Sequence, residues 1–275
     1  MLYVPRRSRL AFPAGVAPGF NQEHVVANGT QISAIPRNIG AIDLLTGIPG
    51  ITSNPGNFGA PGIDGIIGPF LNGQTNILMQ WTVANLPNLN PPNPITFGFV
   101  FKLTATTATQ LIYFGSGSDG WRIDVSTTVA LVSNGVVNTG NSFTLAANVP
   151  YFLAMSANDT AVNSVLVNLS TGQTFTDTKS VSGNTAITLV STDGFMLGYG
   201  NTVPVAAGMM ANAFHGMNDL LQWAADPWSF WYPRGPSDKL LVGSSFSLIQ
   251  NHFRFRTDTG AVDATPTWGA AQDST

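Results

Sequence analysis

Between residues 95 and 126 apolar side chains recur at every second position. Phe97, Phe99, Phe101 and Leu103 alternate with Thr96, Gly98, Val100 and Lys102, and Trp121, Ile123 and Val125 alternate with Arg122, Asp124 and Ser126. A period of two sends alternate side chains to opposite faces of a strand, so both runs are half-buried strands with Phe97, Phe99, Phe101, Trp121 and Ile123 directed inward. Between them lies Leu111-Ile-Tyr-Phe, followed by Gly115-Ser-Gly-Ser-Asp-Gly, a polar glycine-rich turn of the kind that joins antiparallel neighbours.

The same grammar extends in both directions. Upstream, Ile32, Ala34, Ala41-Ile-Asp-Leu-Leu-Thr-Gly, Ile66-Ile-Gly-Pro-Phe-Leu-Asn-Gly and Asn76-Ile-Leu-Met-Gln-Trp are short strand pieces. A stretch dense in Gly, Pro and Asn at 50–65 forms a loop between them. Residues 86–94, Leu-Pro-Asn-Leu-Asn-Pro-Pro-Asn-Pro, form a second loop, because proline donates no ladder hydrogen bond. Downstream, strands are expected at 129–132, 151–157, 164–169, 173–177 and 195–200, punctuated by Asn, Gly or Ser turns, with the small residues of 206–213 as a connector. Many short antiparallel strands at this spacing predict an all-β, two-sheet antiparallel jelly-roll sandwich.

One segment departs from the pattern. Met217, Leu220, Leu221, Trp223 and Ala224 share the one-face spacing of a short helix, which Pro227 ends. Trp228, Phe230, Trp231 and Tyr232 follow as a dense aromatic cluster. Trp228, Trp231 and Tyr232 are candidates for stacking on sugar rings. The plainer alternative, and the favoured one, is that these rings plug the open edge of the sandwich, since large aromatics contribute most to core burial.

The ends of the chain differ from its middle. Residues 1–30, with Pro5, Pro13, Pro18, Gly15 and Gly19, show neither helical nor strand periodicity and form an extended arm. Its Arg6, Arg7 and Arg9 lack interleaved aromatics, and the chain is acidic overall, which points away from nucleic acid and toward contact with a neighbouring subunit. Near the other end His252, Phe253, Arg254, Phe255 and Arg256 alternate basic and aromatic side chains. This is a strand surplus to a closed domain and suited to pairing with another chain. The expected organisation is an N-terminal arm over 1–31, a jelly roll over 32–232, and C-terminal strands and tail over 233–275.

Composition sharpens this picture. The 275 residues are 44% hydrophobic but only 9% charged, with a net charge of −3. The solvent face is therefore built from Asn, Thr, Ser and Gln, which suits strands and turns and costs less to desolvate than charge. Low charge disfavours a free monomer and suits a subunit of an assembly. With no cysteine, disulfides and thiolate chemistry are excluded. No apolar run is long enough for a signal peptide or for the ~20 residues of a membrane span.

The stretch 95–199 resembles the laminin-G-like, concanavalin-A-like jelly roll. That family has a Phe-x-Phe-x-Phe-x-Leu strand, a Phe-Gly-Ser-Gly turn, a Trp-Arg-Ile strand and a later Asn-Val-Pro-Tyr-Phe-Leu-Ala strand, all present here. Leu220-Leu-Gln-Trp-Ala-Ala-Asp-Pro-Trp-Ser-Phe is similar to the helix ending in Asn-Pro-Trp that follows such domains in tailed-bacteriophage and prophage proteins, and Arg6-Arg-Ser-Arg-Leu is similar to their arms. The resemblance implies a non-enzymatic virion protein of capsid or tail. It would be made in the host cytoplasm, and its arms would contact other virion proteins and copies of itself. The alternative is a glycan-binding adhesion module facing a host-surface sugar. Laminin-G-like domains also bind calcium through loop aspartates, which makes Asp119, Asp159 and Asp193 candidate ligands. Turn aspartates equally cap their own backbone.

Some members of this fold hydrolyse glycans with a pair of glutamates about 5 Å apart on one strand. Here Glu23 is the sole glutamate, in the arm, and Asp124 has no second carboxylate two positions away. His24, His215 and His252 fall in no His-x-x-x-His or His-Glu motif and are expected at the surface or an interface. No cofactor is implied. The purified chain is expected to release no reducing ends from β-glucans, galactans or capsular polysaccharide; reproducible release abolished by replacing one aspartate would contradict this.

Overall fold

The computed structural model describes residues 24–37, 40–52, 58–60, 70–72, 79–86, 94–106, 109–116, 119–133, 136–140, 143–180, 190–192, 194–197, 204–225 and 227. Within them a 3-10 turn, Val25–Ala27, precedes sixteen strands and one helix. The strands are β1 (Thr30–Arg37), β2 (Gly40–Asp43), β3 (Ile51–Thr52), β4 (Phe58–Ala60), β5 (Phe70–Asn72), β6 (Met79–Thr82), β7 (Ile95–Lys102) and β8 (Thr109–Ser116). They continue with β9 (Asp119–Val125), β10 (Val129–Ser133), β11 (Val136–Gly140), β12 (Pro150–Ala157), β13 (Ala161–Asn168), β14 (Thr174–Ser180), β15 (Gly194–Leu197) and β16 (Pro204–Ala211), before helix α1 (Met217–Ala225).

The strands form two antiparallel sheets. One has nine strands, ordered β14-β13-β12-β7-β16-β1-β2, with β5 also on β16 and β4 on β5; the other has seven, ordered β11-β10-β9-β8-β15-β6-β3. This is the expected two-sheet jelly-roll sandwich with one short helix. Phe97, Phe99, Phe101, Leu103, Trp121 and Ile123 are all fully buried in the main core, together with Trp81, Phe114 and Phe195. The expected strands at 129–132, 151–157, 164–169, 173–177 and 195–200 correspond to β10, β12, β13, β14 and β15.

The outer face of β7 departs from expectation. Thr96 and Val100 were expected toward solvent, yet both are buried. A second apolar cluster covers this face: Val100, Phe152, Ala154, Val165, Ala207 and Met209 of the sheet meet Val26 and Leu220, Trp223 and Ala224 of α1. At its centre Trp223 rests on Gly98, where a Cβ would fall inside the indole ring. Phe152 meets that ring edge-on, with centroids 4.9 Å apart, and the indole N–H donates to the Pro227 carbonyl at 3.3 Å. Alternation thus marks one core face correctly, while the other is buried by a helix more than a hundred residues later.

Other differences also follow from placement in the sheets. Residues 206–213, expected as a connector, belong mostly to β16, which lies between β7 and β1 in the sheet. Small side chains suit that place: a Cβ on Gly208 would collide with Leu197. The loop at 50–65 contains β3 and β4. The last residues of the expected arm belong to the fold, since Val26 is buried and β1 starts at Thr30. The loop between residues 86 and 94 falls largely outside the described residues, as do 1–23 and 228–275.

Asp43 in the Ala41-Ile-Asp-Leu-Leu-Thr-Gly run fixes the turn after β2. Its buried carboxylate accepts hydrogen bonds from the backbone N–H groups of Ser33 (2.9 Å), Leu45 (3.3 Å) and Thr46 (3.1 Å) and from the Thr46 hydroxyl (2.7 Å). Gly47, at φ 74°, completes it.

By chemical denaturation, Trp223→Ala is expected to cost about 3–5 kcal/mol and Gly98→Ala about 1–3 kcal/mol or more from overpacking. The double variant should cost clearly less than the sum, because the added methyl then enters the space the indole has left. Additive losses would contradict the packing described.

Candidate functional site

The two outer faces of the sandwich are not equivalent. That of the nine-stranded sheet is sealed around β7, β12 and β16 by α1 and the 3-10 turn. That of the seven-stranded sheet is half-open and carries the polar groups. Strand register sets one row across it: Ile51 opposite Gln80, Gln80 opposite Met196, Met196 opposite Tyr113, and Tyr113 opposite Arg122. With neighbouring strands about 4.8 Å apart, the row crosses five strands in a straight line.

The next outward-facing row is Thr82, Gly194, Gly115 and Gly120. Three of these are glycine for steric reasons. A Cβ on Gly194 would strike the Trp81 carbonyl, one on Gly120 the Phe114 carbonyl, and Gly115 has φ 128°. No side chain rises beside Tyr113 and Arg122 on that side.

Arg122 and Asp124 project from the same face of β9 and form an ion pair, Nε to Oδ2 at 3.0 Å, with side chains 28% and 32% exposed. The other oxygen, Asp124 Oδ1, is buried without a hydrogen-bond partner, as is Ser33 Oγ. Gln80 donates through Nε2 to the Thr192 carbonyl at 3.2 Å. Tyr113 is 7% exposed, Met196 and Gln80 half-buried. Arranged this way, the face carries a guanidinium, a carboxylate and an amide on neighbouring strands, with Tyr113 largely covered beside them.

A second polar group lies at the end of the sandwich where β7 begins. Thr96 Oγ1 is 2.8 Å from both the Ser156 hydroxyl and the Ala213 carbonyl, and the His215 N–H donates to Ser156 Oγ at 2.7 Å. Expected at a surface or interface, His215 is instead 4% exposed. Its Nε2 lies 3.4 Å from the Asn28 carbonyl and its Nδ1 3.7 Å from Asp219 Oδ2. The serine meets the histidine's backbone and the ring faces a carbonyl, so Ser156 does not stand where this imidazole could activate it. The cluster pins the strand-to-helix connection. His24 accepts from the Val26 N–H through Nδ1 and packs edge-on against Trp223.

Of the candidate calcium ligands, Asp119 opens β9 and Asp159 lies in the β12–β13 turn. Asp193 is outside the described residues. The amide oxygen available in the β12–β13 turn, Asn158 Oδ1, already accepts from Thr160 N–H (2.9 Å), Thr160 Oγ1 (3.0 Å) and Ala161 N–H (2.9 Å). Among the described residues no three His, Cys, Asp or Glu side chains come together as metal ligands. Trp228, Trp231 and Tyr232, with Arg6, Arg7, Arg9 and His252, Phe253, Arg254, Phe255 and Arg256, lie outside the described residues. Gln80, Tyr113 and Met196 were not singled out from the sequence, because only long-range register aligns them.

No protein-family model matches the chain, and no curated protein matches it in sequence. Solved structures do match in fold. The botulinum neurotoxin serotype D ligand-binding domain, in complex with N-acetylneuraminic acid, aligns at a TM-score of 0.53 and 10% identity, covering 74% of this chain and 54% of that one. Domain 4 of AbnA, a GH43 extracellular arabinanase from Geobacillus stearothermophilus, in complex with arabinotriose, aligns at 0.51 and 12%, covering 71% of this chain and 98% of that domain. Trypanosoma rangeli sialidase in complex with sialic acid aligns at 0.51 and 12%, covering 82% of this chain and 37% of the sialidase. The chain spans about half the length of the toxin binding domains it matches. The fold is that of a lectin-like jelly-roll β-sandwich.

His215→Ala is expected to lower stability by about 1–3 kcal/mol, through the Asn28 carbonyl left unpaired. It should leave ligand binding by the natively folded fraction unchanged, as read by denaturation and titration calorimetry on one preparation; lost binding at unchanged stability would contradict the pinning role.

Proposed function

We propose that this chain is a non-enzymatic glycan-binding module whose sugar contacts are made on the outer face of the seven-stranded sheet by Arg122, Asp124, Gln80, Tyr113 and Met196. The observation that carries this is the Arg122–Asp124 pair on the half-open face, an ion pair whose two side chains stay about a third exposed. Exposed guanidinium donors beside a carboxylate match neighbouring sugar hydroxyls, one accepting and one donating. The fold supports the same reading, since matched domains of other proteins hold arabinotriose and N-acetylneuraminic acid.

A second reading places the same sandwich in a bacteriophage virion, as a capsid or tail component in contact with copies of itself and other virion proteins. It rests on the resemblance of the Leu220-Leu-Gln-Trp-Ala-Ala-Asp-Pro-Trp-Ser-Phe segment to phage proteins. The two roles are compatible, and mass spectrometry of purified particles tests the second.

For the first, the full chain is screened on a glycan array and its best ligand titrated by calorimetry. Arg122→Ala is expected to weaken binding about tenfold or more, roughly 1.4 kcal/mol or above, with the melting temperature little changed. Binding lost with Trp228→Ala and untouched by Arg122→Ala would move the site to the aromatic cluster. No binding to any glycan would overturn the proposal.

A further inference from the structure

β14 ends the nine-stranded sheet. Among the described residues it pairs only with β13, through an unbroken register from Val167 opposite Thr174 to Ala161 opposite Ser180. It is largely exposed, whereas β12 and β13 are buried along nearly their whole length. Its seven residues, Thr-Phe-Thr-Asp-Thr-Lys-Ser, contain no proline, glycine or bulge to blunt the edge.

The ladder fixes which groups face outward. Asn168 N–H donates to the Gln173 carbonyl at 2.9 Å. Antiparallel pairs alternate between hydrogen-bonded and non-hydrogen-bonded. Counting on from Asn168 and Gln173, residues 175, 177 and 179 bond to β13. The N–H and C=O groups of Thr174, Thr176, Thr178 and Ser180 therefore point away from the sheet. Phe175 and Lys179 stand opposite Leu166 and Val162 of the main core, which puts Phe175, Asp177 and Lys179 on the core-side face and the threonines and serine on the other.

A second β14 can add antiparallel about a twofold axis only where outward-facing residues meet, so the axis passes through Thr176, Asp177 or Thr178. Centred on Thr176, Phe175 faces Asp177 of the second copy. An axis at Asp177 sets two aspartates against each other, which is repulsive. With the axis at Thr178, Asp177 faces Lys179 of the second copy twice, Thr178 faces Thr178, and Thr176 faces Ser180. The Asp177–Lys179 positions are then non-hydrogen-bonded pairs, in which side chains approach most closely. Within one chain Lys179 Nζ already lies 3.4 Å from Asp177 Oδ1, so the two copies would join these into one alternating four-charge cluster.

We propose that β14 is a self-association edge: a second copy of this chain adds to it antiparallel, about a twofold axis at Thr178, and merges the two nine-stranded sheets. The seven-stranded faces then appear twice per particle, which raises avidity for any repeating ligand. The association itself does not depend on the glycan reading.

The chain has no cysteine, which makes the test clean. Thr176→Cys, Asp177→Cys and Thr178→Cys are made singly in the full chain and oxidised under native conditions. Facing residues of a hydrogen-bonded pair have Cα atoms about 5.5 Å apart, within disulfide reach, so Thr178→Cys is expected to form the disulfide-linked dimer far more efficiently than the other two. Preferential cross-linking of Thr176→Cys or Asp177→Cys, or none above background, overturns the proposal. By sedimentation, Asp177→Lys alone and Lys179→Asp alone should each be monomeric, while an equimolar mixture regains the dimer, because each strand then opposes only unlike charge. A mixture that stays monomeric, or a parent chain monomeric at every concentration, shows instead that these inward-facing charges guard the edge.

Discussion

Trp223 occupies the space that a side chain at residue 98 would need, and much of the architecture follows from that contact. Gly98 lies in β7, between β12 and β16 and so near the middle of the nine-stranded sheet. A bare position there costs strand propensity, but it opens a seat for the largest apolar side chain of the helix. With Phe152 edge-on and the indole N–H held by the Pro227 carbonyl, the ring locks α1 across the sheet. Val100, Val165, Ala207 and Met209 are buried as a result.

Sealing one sheet divides the labour between the two. The nine-stranded sheet is packed on both faces around its centre and acts as a rigid base. The seven-stranded sheet keeps a half-open outer face, where Gln80, Met196, Tyr113 and Arg122 align across strands that are distant in sequence. Polar groups held on strands rather than loops are ordered before a ligand arrives, which reduces the entropy lost on binding. Buried glycines at 115, 120 and 194 keep side chains off the backbone beside that row. The polar pin of Thr96, Ser156 and His215 fixes the turn into the helix.

Much of this was legible in the chain. Phe97, Phe99, Phe101, Trp121 and Ile123 reveal their core face because period-two alternation is a local property. The helix shows for the same reason, through Leu220, Trp223 and Ala224. β16 does not show: Ala207, Gly208, Met209 and Met210 neither alternate nor favour strands, and only their place between β7 and β1 makes small residues suitable. His215 is buried by partners from 28 to 219, which no local pattern predicts. The candidate face was the least legible feature. Arg122 and Asp124 were visible as the polar side of a strand, but their alignment with Tyr113, Met196 and Gln80 depends on pairing among β6, β15, β8 and β9.

If ligand meets the seven-stranded face, the helix-covered sheet should be inert to it. Hydrogen–deuterium exchange of the full chain, with and without a saturating oligosaccharide, tests this directly. Slowed exchange is expected only in β6, β8, β9 and β15, with α1, β12 and β13 unchanged. Protection appearing in α1 or across 228–232, with the seven-stranded sheet unaffected, would contradict it.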